Sequence, residues 1–401
     1  MIRRQFVVSE FFDQAETMRE QLDVRFKNPY VHTINWEYYC DPKMYTYLRA
    51  TPNMVFEQAV FDSLMKRLRA WCIENLGLVP MGEPYLHLMV NGCKLGLHSD
   101  FHNGVWGYVY SLTRWENRRF AGGETLLLRD GASSYKKHHV HGDALYELIP
   151  ALFNQLFVFD DRIVHATSTI EGSMDPADGR IALVGHIRAT SPITEGTITE
   201  SQASKVIMQA LPHLRDRIKT YTNVQGTASY RLTVAATGAV ESVAILTDNV
   251  VTAVTGYGNS DAVSAVKSQI NQAMSSLQFP PTGGISTVVV AVLIPIPDLR
   301  PIELVIPHQS SRSAVQQWAR SFLETGQGTD LRGYWEGESF VVKEPLAGSI
   351  QFEPLWTTCR FDAPMWVPSQ RERFEVTLME WAKMGWPPDS ERHVRQGSTI
   401  Y

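Results

Sequence analysis

The stretch from Tyr85 to Arg188 carries the pattern that most restricts the fold. Short apolar runs, none longer than eight residues and all rich in Val, Leu, Tyr or Phe, follow one another with Gly or Asp turns between them. The runs are YLHLMV, WGYVYSL, ETLLL, QLFVF and RIALVGHI. Runs of this kind predict β-strands. Many short strands joined by turns are typical of a barrel or a double-sheet jelly roll.

The segments before and after this stretch predict an α+β organisation. Residues 1–80 are predicted to be mostly helical, with a Pro- and aromatic-rich interruption at Asn28–Pro52. Within them, the helical spacing of apolar residues in Asn53–Leu76 predicts a helix that backs the sheet. After Ala189, the segment SPITEGTITESQ predicts a linker, because Ser, Thr, Gly and Pro dominate it.

A second region follows this linker. Four segments predict helix, hairpin, helix and strand in turn: Ser201–Tyr221, SYRLTVAATGAVESVAIL with a Thr-Gly turn, DAVSAVKSQINQAMSSL and STVVVAVLIPI. The predicted domains are therefore 1–192, with its β core at about 85–190, and 197–298. Residues 299–401 form an extension whose fold the sequence does not predict, apart from a helix near Arg371–Met384.

Composition restricts the class of protein. The chain has 401 residues, 44% of them apolar and 20% charged, so it can build a core. A net charge of −5 gives no footprint for nucleic acid. Four distant cysteines favour reduced thiols in the cytoplasm. We expect no signal peptide and no membrane partner, because no apolar stretch is long enough.

The segment LGLHSDFHNG contains the first candidate site. His98 and Asp100 are two positions apart, so on a strand both side chains lie on one face. His165 follows the apolar run QLFVF in the phrase DDRIVHATS. Two histidines and one carboxylate with open coordination positions form the facial triad of non-haem Fe(II) oxygenases. The sequence therefore predicts an iron site at His98, Asp100 and His165.

A cation completes this constellation. Arg180 opens the run RIALVGHI, 15 residues after His165. An arginine fork can bind a carboxylate through two hydrogen bonds. This is the group that would bind the far carboxylate of 2-oxoglutarate while iron binds the keto-acid end.

These elements together resemble the prolyl-hydroxylase-type branch of the Fe(II)/2-oxoglutarate-dependent dioxygenases. The matching parts are HSD at His98–Asp100, AGGETLLL, FNQLFVFDDRIVH and GRIALVGHI, over about 105 residues. The resemblance implies a double-stranded β-helix that uses Fe(II), 2-oxoglutarate and O2, with ascorbate as a candidate reductant. It also implies oxidative decarboxylation of 2-oxoglutarate coupled to hydroxylation. Asp100 argues against halogenation, because halogenating relatives have a small residue there.

The chain departs from this branch at two points. The spacing from His165 to the basic residue is usually nearer ten, so Arg162 and Arg188 are alternative anchors. Ser111 stands where relatives often have a tyrosine that assists the co-substrate, and Tyr110 should face the other side. The remaining candidates for co-substrate contact are Tyr108, Thr167 and His87, and the candidates for substrate contact are His102, Trp106 and Arg114.

Other polar clusters have simpler interpretations. His138, His139 and His141 are predicted to lie in a solvated loop that could close over the site. Asp160 and Asp161 are predicted to be a turn-forming pair.

The segment Ser229–Ile296 bears a weaker resemblance to the C-terminal domain of TonB-type energy transducers, carried by GAVESVAIL, a helix, QFPPTGG and a Val-rich strand. For this region we expect a structural role, either dimerisation of the chain or substrate docking.

Three functions remain open. The first is hydroxylation of an amino-acid side chain, free, carrier-bound or within a peptide. The second is tailoring of a small natural product by desaturation or ring formation at the same iron. The third is a non-catalytic sensor or adaptor whose barrel only binds a ligand.

Overall fold

A computed structural model describes most of the chain in two compact units. The described residues are 4–27, 34, 36–41, 43–129, 145–252, 261–297, 299–307, 313, 316–317, 320, 331–344, 348–362 and 368–383. The first unit comprises Met1–Arg188, Asn223–Thr227 and Thr247–Ser264. The second comprises Ala189–Thr222, Ala228–Leu246 and Ala265–Tyr401. The predicted boundary at 192–197 lies near one of these junctions, but the first unit also includes two later segments.

The first unit is built on a strongly curled antiparallel sheet of eleven strands. The strands of this unit up to Arg188 are β1 (Gln5–Val8), β2 (Glu37–Asp41), β3 (Tyr45–Ala50), β4 (Val79–Met89), β5 (Lys94–His98), β6 (Trp106–Ser111), β7 (Phe120–Ala121), β8 (Thr125–Leu128), β9 (Tyr146–Ile149), β10 (Gln155–Asp160), β11 (His165–Thr167), β12 (Glu171–Gly172) and β13 (Arg180–Arg188). Their order is β1-β10-β6-β13-β4-β3-β5-β11-β8-β9, with β2 beside β3, while β7 and β12 form a separate pair.

Two four-stranded runs within this sheet pair strands that are distant in sequence. One run is β10-β6-β13-β4 and the other is β5-β11-β8-β9. Strand β3 joins them, because it pairs with β4 through Leu48 and with β5 through Tyr45. All five strands predicted between Tyr85 and Arg188 are confirmed.

Helices lie on both sides of the Asn28–Pro52 interruption, as predicted, but the start of the chain and the interruption itself also contribute strands. Only α1 (Ala15–Lys27) and α2 (Gln58–Leu76) are α-helices there, and β1, β2 and β3 belong to the sheet. The segments EYYCD and YTYLRA are rich in aromatic and β-branched residues, which favour strands. A 3₁₀ turn at Pro52–Met54 precedes α2, which therefore begins later than predicted.

Aromatic residues pack one face of the β10-β6-β13-β4 run against neighbouring elements. Phe6 of β1 contacts Trp71 of α2 and Trp106 of β6, with ring centroids 5.4 and 5.5 Å apart. The opposite face lines the interior of the curl, with Val109, Phe157, Phe159, Ala182 and Val184 in one apolar cluster. The helix α2 therefore backs the sheet, as its periodicity predicts.

The elements of the predicted α+β region follow Arg188, and most of them lie in the second unit, while residues 223–227 and 247–264 belong to the first. They are β14 (Ile193–Glu195), α3 (Glu200–Ile218), β15 (Val224–Val234), β16 (Val240–Asp248), α4 (Asp261–Ser275) and β18 (Ser286–Ile294), with the short β17 (Val251–Thr252) pairing with the start of β15. The sheet order is β14-β18-β15-β16. The predicted helices, hairpin and strand are confirmed. The linker prediction is wrong at Ile193–Glu195, because this segment pairs with Val289–Thr287 of β18.

The extension beyond residue 299 has its own antiparallel sheet. Its elements are β19 (Ile302–Pro307), β20 (Arg332–Glu336), β21 (Ser339–Glu344), β22 (Gly348–Phe352), β23 (Trp356–Phe361) and α5 (Pro368–Lys383). The strand order is β19-β23-β22-β21-β20. Ile350, Phe352 and Cys359 are buried in its core together with Leu378 of α5. Within the described part of the chain, no helix is long and apolar enough to cross a membrane.

Candidate metal centre

Two paired strands bring the predicted metal ligands together. His98 is the last residue of β5 and His165 is the first of β11, and the two are direct partners in the antiparallel ladder. Asp100 follows β5 by two residues, so it extends the same face of the chain. The Asp100 N–H donates to the carbonyl oxygen of Asp161 at 2.9 Å, which fixes the backbone just past the strand end.

The ligand atoms of these three residues converge. One nitrogen from each histidine and one carboxylate oxygen lie within 4.8 Å of one another. Asp100 Oδ2 is 3.6 Å from His98 Nε2 and 3.3 Å from His165 Nε2. The other oxygen of Asp100, Oδ1, accepts a hydrogen bond from Asn103 at 3.1 Å. The carboxylate therefore presents one oxygen to both imidazoles.

Backbone carbonyls orient both imidazoles. His98 Nδ1 lies 2.7 Å from the carbonyl oxygen of Gly96, and His165 Nδ1 lies 2.9 Å from that of Ile163. A carbonyl oxygen only accepts, so each Nδ1 carries a proton and donates it, which leaves Nε2 as the nitrogen that can bind a metal. Metal-bound histidines usually have their second nitrogen fixed in this way. The donor set therefore fits a divalent transition metal such as Fe(II).

The charges of the site also suit a cation. Burial raises the pKa of Asp100, but hydrogen bonds with His165 and His98 outweigh burial and hold it well below its ordinary value. For His98, burial lowers the pKa, and contact with Asp100 more than offsets this effect. Asp100 is therefore ionised at neutral pH and available as an anionic ligand.

Arg180 is buried inside the curl near this centre. Its side chain is 2% exposed, and its Nε donates to the carbonyl oxygen of Gly123 at 2.8 Å. Nη2 lies 3.4 Å from Thr125 Oγ1. Among the described residues, no carboxylate forms an ion pair with Arg180. Burial lowers its pKa to about 10, so the guanidinium remains charged at neutral pH.

The Gly-Gly pair of AGGETLLL has a steric explanation. Gly122 and Gly123 have φ angles of +79° and +83°, which other residues rarely adopt. A Cβ on Gly122 would overlap the carbonyl oxygen of Thr169, and a Cβ on Gly123 would lie 2.9 Å from the Phe120 ring. The pair thus lets the backbone approach Arg180 and accept its hydrogen bond.

Strand register relates Arg180 to the metal ligands. On β8 and β11, Thr125 is paired with Thr167 and Leu127 with His165. Thr167 is thus two residues from His165 on the same face, a separation of about 7 Å. Since Arg180 contacts Thr125, its guanidinium lies about one such repeat from the metal side. This spacing suits a short dicarboxylate, and Thr167, as the partner of Thr125, lies at the Arg180 end of it.

His87 lies near Arg180 and is in contact with Tyr47. Their ring centroids are 4.4 Å apart, and both side chains are buried. Burial lowers the pKa of His87 to about 3, and the charges of Arg180 and Arg49 act in the same direction. His87 is therefore neutral and can accept or donate a hydrogen bond.

Tyrosines of the β2–β3 hairpin lie beside the metal ligands, which sequence reasoning missed. The Tyr45 ring stands edge-on to His98 at 5.4 Å. Tyr39 contacts Tyr45 and Tyr47 at 6.1 and 5.2 Å. We call Tyr39, Tyr45 and Tyr47 the tyrosine wall. The period-two aromatic pattern of YTYLRA is the signal that could have identified these residues.

The assignments of Tyr108 and Trp106 to the site are corrected by the structure. Both side chains lie on the face of β6 that packs away from the interior of the curl, because Val109 faces inward. Trp106 packs on Phe6, and the Tyr108 ring lies against Gly185. Tyr110 is on this outer face too, as predicted, and donates to Asn154 Oδ1 at 2.9 Å.

Two further candidates are engaged elsewhere. The Ser111 hydroxyl donates to the carbonyl oxygen of Ala151 at 2.8 Å and accepts from the N–H of Thr113. Arg114 forms ion pairs with Glu16 and Asp23 of α1. Both side chains are engaged in these contacts, and their predicted roles stay predictions. His102 stacks on the exposed Phe101 two residues beyond Asp100, and its substrate role stays a prediction.

The alternative anchors for a co-substrate are also accounted for. Arg162 forms an ion pair with Asp160 at 2.6 Å and donates to the carbonyl oxygen of Asn249. Arg188 lies at the opposite end of β13 from Arg180, paired with Val79. Arg180 is therefore the best placed of the three arginines. His138, His139 and His141 lie outside the described residues.

A buried aspartate and a histidine lie next to Asp100. Asp161 is 0% exposed, and its Oδ2 is 3.0 Å from His186 Nδ1 of β13. Burial raises the pKa of Asp161 to about 6, although His186 opposes the shift. The prediction that Asp160 and Asp161 simply form a turn is thus incomplete. Asp160 does accept the Arg162 N–H in a turn, but both carboxylates are fully buried.

No known protein family and no curated protein matches this sequence. Parts of several solved structures are similar. A prolyl-4-hydroxylase from Pseudomonas putida is 14% identical over 46% of this chain and 91% of its own, with a TM-score of 0.30. A prolyl hydroxylase from Trichoplax adhaerens was solved in complex with a peptide fragment of the hypoxia inducible factor oxygen degradation domain. It is 14% identical over 45% of this chain and 81% of its own, with a TM-score of 0.30. The non-haem alpha-ketoglutarate-dependent epimerase SnoN from nogalamycin biosynthesis is 12% identical over 46% of this chain and 79% of its own, with a TM-score of 0.33. TM-scores this low leave the function to be argued from the site itself.

Proposed function

We propose that this chain is an Fe(II)/2-oxoglutarate-dependent oxygenase that hydroxylates an unactivated C–H bond. The observation that carries the proposal is the convergence of two imidazole nitrogens and one carboxylate oxygen within 4.8 Å. Arg180, a buried cation with no carboxylate ion pair among the described residues, supports the choice of a dicarboxylate co-substrate. A facial set of three ligands leaves coordination positions open for that co-substrate and for O2.

Each residue then has a distinct role. His98, Asp100 and His165 bind the metal, which when bound supplies the redox chemistry that activates O2 and decarboxylates 2-oxoglutarate. Arg180 binds the far carboxylate of 2-oxoglutarate through two N–H groups. Thr125 contacts Arg180, and Thr167 is the partner of Thr125 on the neighbouring strand. Neutral His87 is buried near Arg180 and in contact with Tyr47, and these two rings would exclude water from the ion pair between Arg180 and the co-substrate.

The strand pairing supports a double-stranded β-helix. Such a jelly roll needs eight strands in two antiparallel sets, each set combining strands distant in sequence. The runs β10-β6-β13-β4 and β5-β11-β8-β9 have this character. His98 and His165 lie on the second run and Arg180 on the first, and the Arg180 side chain reaches Thr125 of the second run.

The proposed substrate is an amino-acid side chain, free or within a peptide. The tyrosine wall beside His98 supports this choice, since aromatic faces bind aliphatic and aromatic side chains without requiring charge. Desaturation or ring formation on a small natural product would use the same centre. The mass of the product separates these outcomes, because hydroxylation adds one oxygen and desaturation or cyclisation removes two hydrogens.

The iron site is tested by anaerobic addition of Fe(II) and 2-oxoglutarate to the metal-free full chain. A weak visible charge-transfer absorption is expected from the wild type. The His98→Ala and His165→Ala variants should show neither this absorption nor succinate formation from 2-oxoglutarate. His213→Ala is the matched control, because His213 is an exposed histidine on α3, and this variant should behave as the wild type. A folded wild-type protein that binds Fe(II) but gives no such absorption would contradict the proposal.

A further inference from the structure

Asp161 and His186 form a polar pair to which the proposed reaction assigns no role. Asp161 follows β10 and is fully buried, while His186 lies on β13 and is partly exposed. The His186 Nδ1–H donates to Asp161 Oδ2 at 3.0 Å. The second oxygen, Asp161 Oδ1, is buried and accepts no hydrogen bond from the described residues. Burying a carboxylate with so few donors costs stability, which suggests a functional reason for the pair.

Two glycines make room for this carboxylate. A Cβ on Gly104 would lie 2.7 Å from Asp161 Oδ2, and a Cβ on Gly107 would lie 2.5 Å from Asp161 Oδ1. Real Cβ atoms do not approach oxygen so closely, so any larger residue at either position would displace the carboxylate. Neither glycine has a positive φ, which leaves this close approach as the physical reason for glycine there. The site is therefore shaped around Asp161.

The pair is joined to the metal ligand Asp100 in two ways. The Asp161 carbonyl oxygen accepts the Asp100 N–H at 2.9 Å. Ligand-type atoms of Asp100, Asp161 and His186 also lie within 4.8 Å of one another. Asn103 contacts Asp100 Oδ1 at 3.1 Å. Asn103 therefore binds the carboxylate of Asp100, and Asp161 binds its backbone. The imidazole of His186 lies nearby.

We propose that Asp161 and His186 act as positioning residues for the metal-binding carboxylate of Asp100. Asp161 fixes the backbone of Asp100 and the ring of His186, and His186 restricts the carboxylate to an orientation that offers one oxygen to the metal. A second bound oxygen would occupy a position that the co-substrate or O2 needs. This inference rests on the proposed function, because it assumes that Asp100 binds a metal.

The test is an anaerobic titration of the metal-free full chain with Co(II), followed by its visible absorption. His186→Phe keeps a planar ring but removes both nitrogens. It should lower the Co(II) affinity by about 10- to 100-fold, as loss of a partner of a metal ligand typically does. It should also weaken the absorption per bound Co(II), since a second carboxylate oxygen raises the coordination number. His186→Gln, which retains an N–H donor, should restore part of the affinity.

A double-mutant cycle shows whether the two residues act as a pair. Asp161→Asn alone should reduce the Co(II) affinity. Combined with His186→Phe, it should reduce the affinity no further than His186→Phe does alone, because the second change removes an interaction already lost. The matched control is Asp160→Asn, which neutralises an equally buried aspartate that pairs with Arg4 and Arg162. Its Co(II) affinity should equal that of the wild type.

Each other outcome overturns the inference. Wild-type affinity and absorption in His186→Phe would show that His186 does not act on Asp100. Binding of a second Co(II) ion by the wild type, lost in His186→Phe, would identify a cation site at Asp100, Asp161 and His186 instead. If His186→Phe does not fold, as judged by circular dichroism, His186→Gln and Asp161→Asn make the same comparison. An unchanged Co(II) titration in His98→Ala would overturn the proposed function itself, which the His186 results alone cannot do.

Discussion

Arg180 is a charged side chain in an apolar interior without a carboxylate ion pair among the described residues. Replacing it by Met preserves the approximate length and removes the charge. We expect the KM for 2-oxoglutarate to rise roughly 10- to 100-fold, because a hydrogen bond to a charged group contributes about 1.5–3 kcal/mol. The measurement is succinate formation against 2-oxoglutarate concentration.

Arg180→Lys separates charge from geometry. Lysine retains the charge but not the planar fork, so its KM should lie between those of the wild type and Arg180→Met. The Co(II) affinity of both variants should match that of the wild type, since Arg180 does not touch the metal ligands. An unchanged KM in both variants would rule out Arg180 as the anchor.

The cysteines allow a residue-scale prediction about pH. Burial raises the pKa of Cys359 to about 12 and also raises the pKa of Cys72 and Cys93. Only the thiolate reacts with a disulfide reagent, and Cys40 is exposed. At pH 8 we expect one thiol to react rapidly in the folded chain and three only after unfolding. Cys40→Ser should abolish the rapid phase, and a remaining rapid phase would contradict the burial of the other three.

The same shift predicts how stability depends on pH. The pKa of Cys359 in the folded chain is above its unfolded value of about 8.5. Its contribution is therefore fully present below pH 8.5 and is lost as pH rises toward 12. Urea unfolding should occur at lower concentration at pH 10 than at pH 8, and Cys359→Ala should reduce that difference.

At the residue scale, the sequence predicts the candidate metal ligands better than it predicts the residues that surround them. His98 and Asp100 could be identified because a spacing of two fixes a shared face, whatever the rest of the fold. The full burial of Asp161 could not be predicted in this way. It depends on Gly104, Gly107 and His186, which are brought next to Asp161 only by the strand pairing. Tyr108 was misassigned because alternation alone does not say which face of β6 is the interior.

Strand β13 makes a prediction at the scale of the element. Gly185 lies opposite Tyr108 of β6, and a Cβ there would be 2.6–2.9 Å from atoms of the tyrosine ring. Gly185→Ala should therefore destabilise the fold by about 1–3 kcal/mol, as overpacking does. Adding Tyr108→Leu should recover part of the loss, measured by urea unfolding. No recovery would contradict the outward placement of Tyr108.

The first turn of α3 offers a second test at this scale. Thr199 accepts from the Gln202 N–H while the Gln202 side chain accepts from the Thr199 N–H, which is a capping box. Thr199→Ala should cost about 1 kcal/mol of unfolding free energy. Thr220→Ala, an exposed position beyond the helix, is the control and should cost much less. Equal effects would show that the cap contributes little.

Elements with strong periodicity were predictable, and those formed by distant pairing were not. The strands of Tyr85–Arg188 and the helices α3 and α4 follow their own sequence patterns. Strand β14 lies in a segment with linker composition and becomes a strand only because β18 supplies its hydrogen-bonding partner. The β2–β3 hairpin was not predictable for a similar reason, since it lies in the Pro- and aromatic-rich interruption between the predicted helices and each strand is defined by its partner.

At the scale of the whole molecule, the first unit is discontinuous in sequence. The Arg162 side chain donates to the carbonyl oxygen of Asn249, and the Thr247 hydroxyl donates to that of Leu76. A fragment ending at the predicted boundary of 192 lacks both partners. We expect fragment 1–192 to unfold at lower urea concentration than fragment 1–297, which retains them. Equal midpoints would show that 1–192 is a complete domain.

The interrupted path of this unit also has a consequence for synthesis on the ribosome. Ser264 lies 76 residues after Arg188, so the last segment of the unit is made well after the strands that carry the metal ligands. At 5–20 residues per second, this delay is about 4–15 s. Until Thr247 and Asn249 are made, the nascent chain already contains His98, Asp100, His165 and Arg180, but Arg162 and Leu76 lack these partners. Metal capture during translation would then precede completion of the unit, and a bound ion would favour the native pairing of β5 and β11 while the rest of the chain emerges.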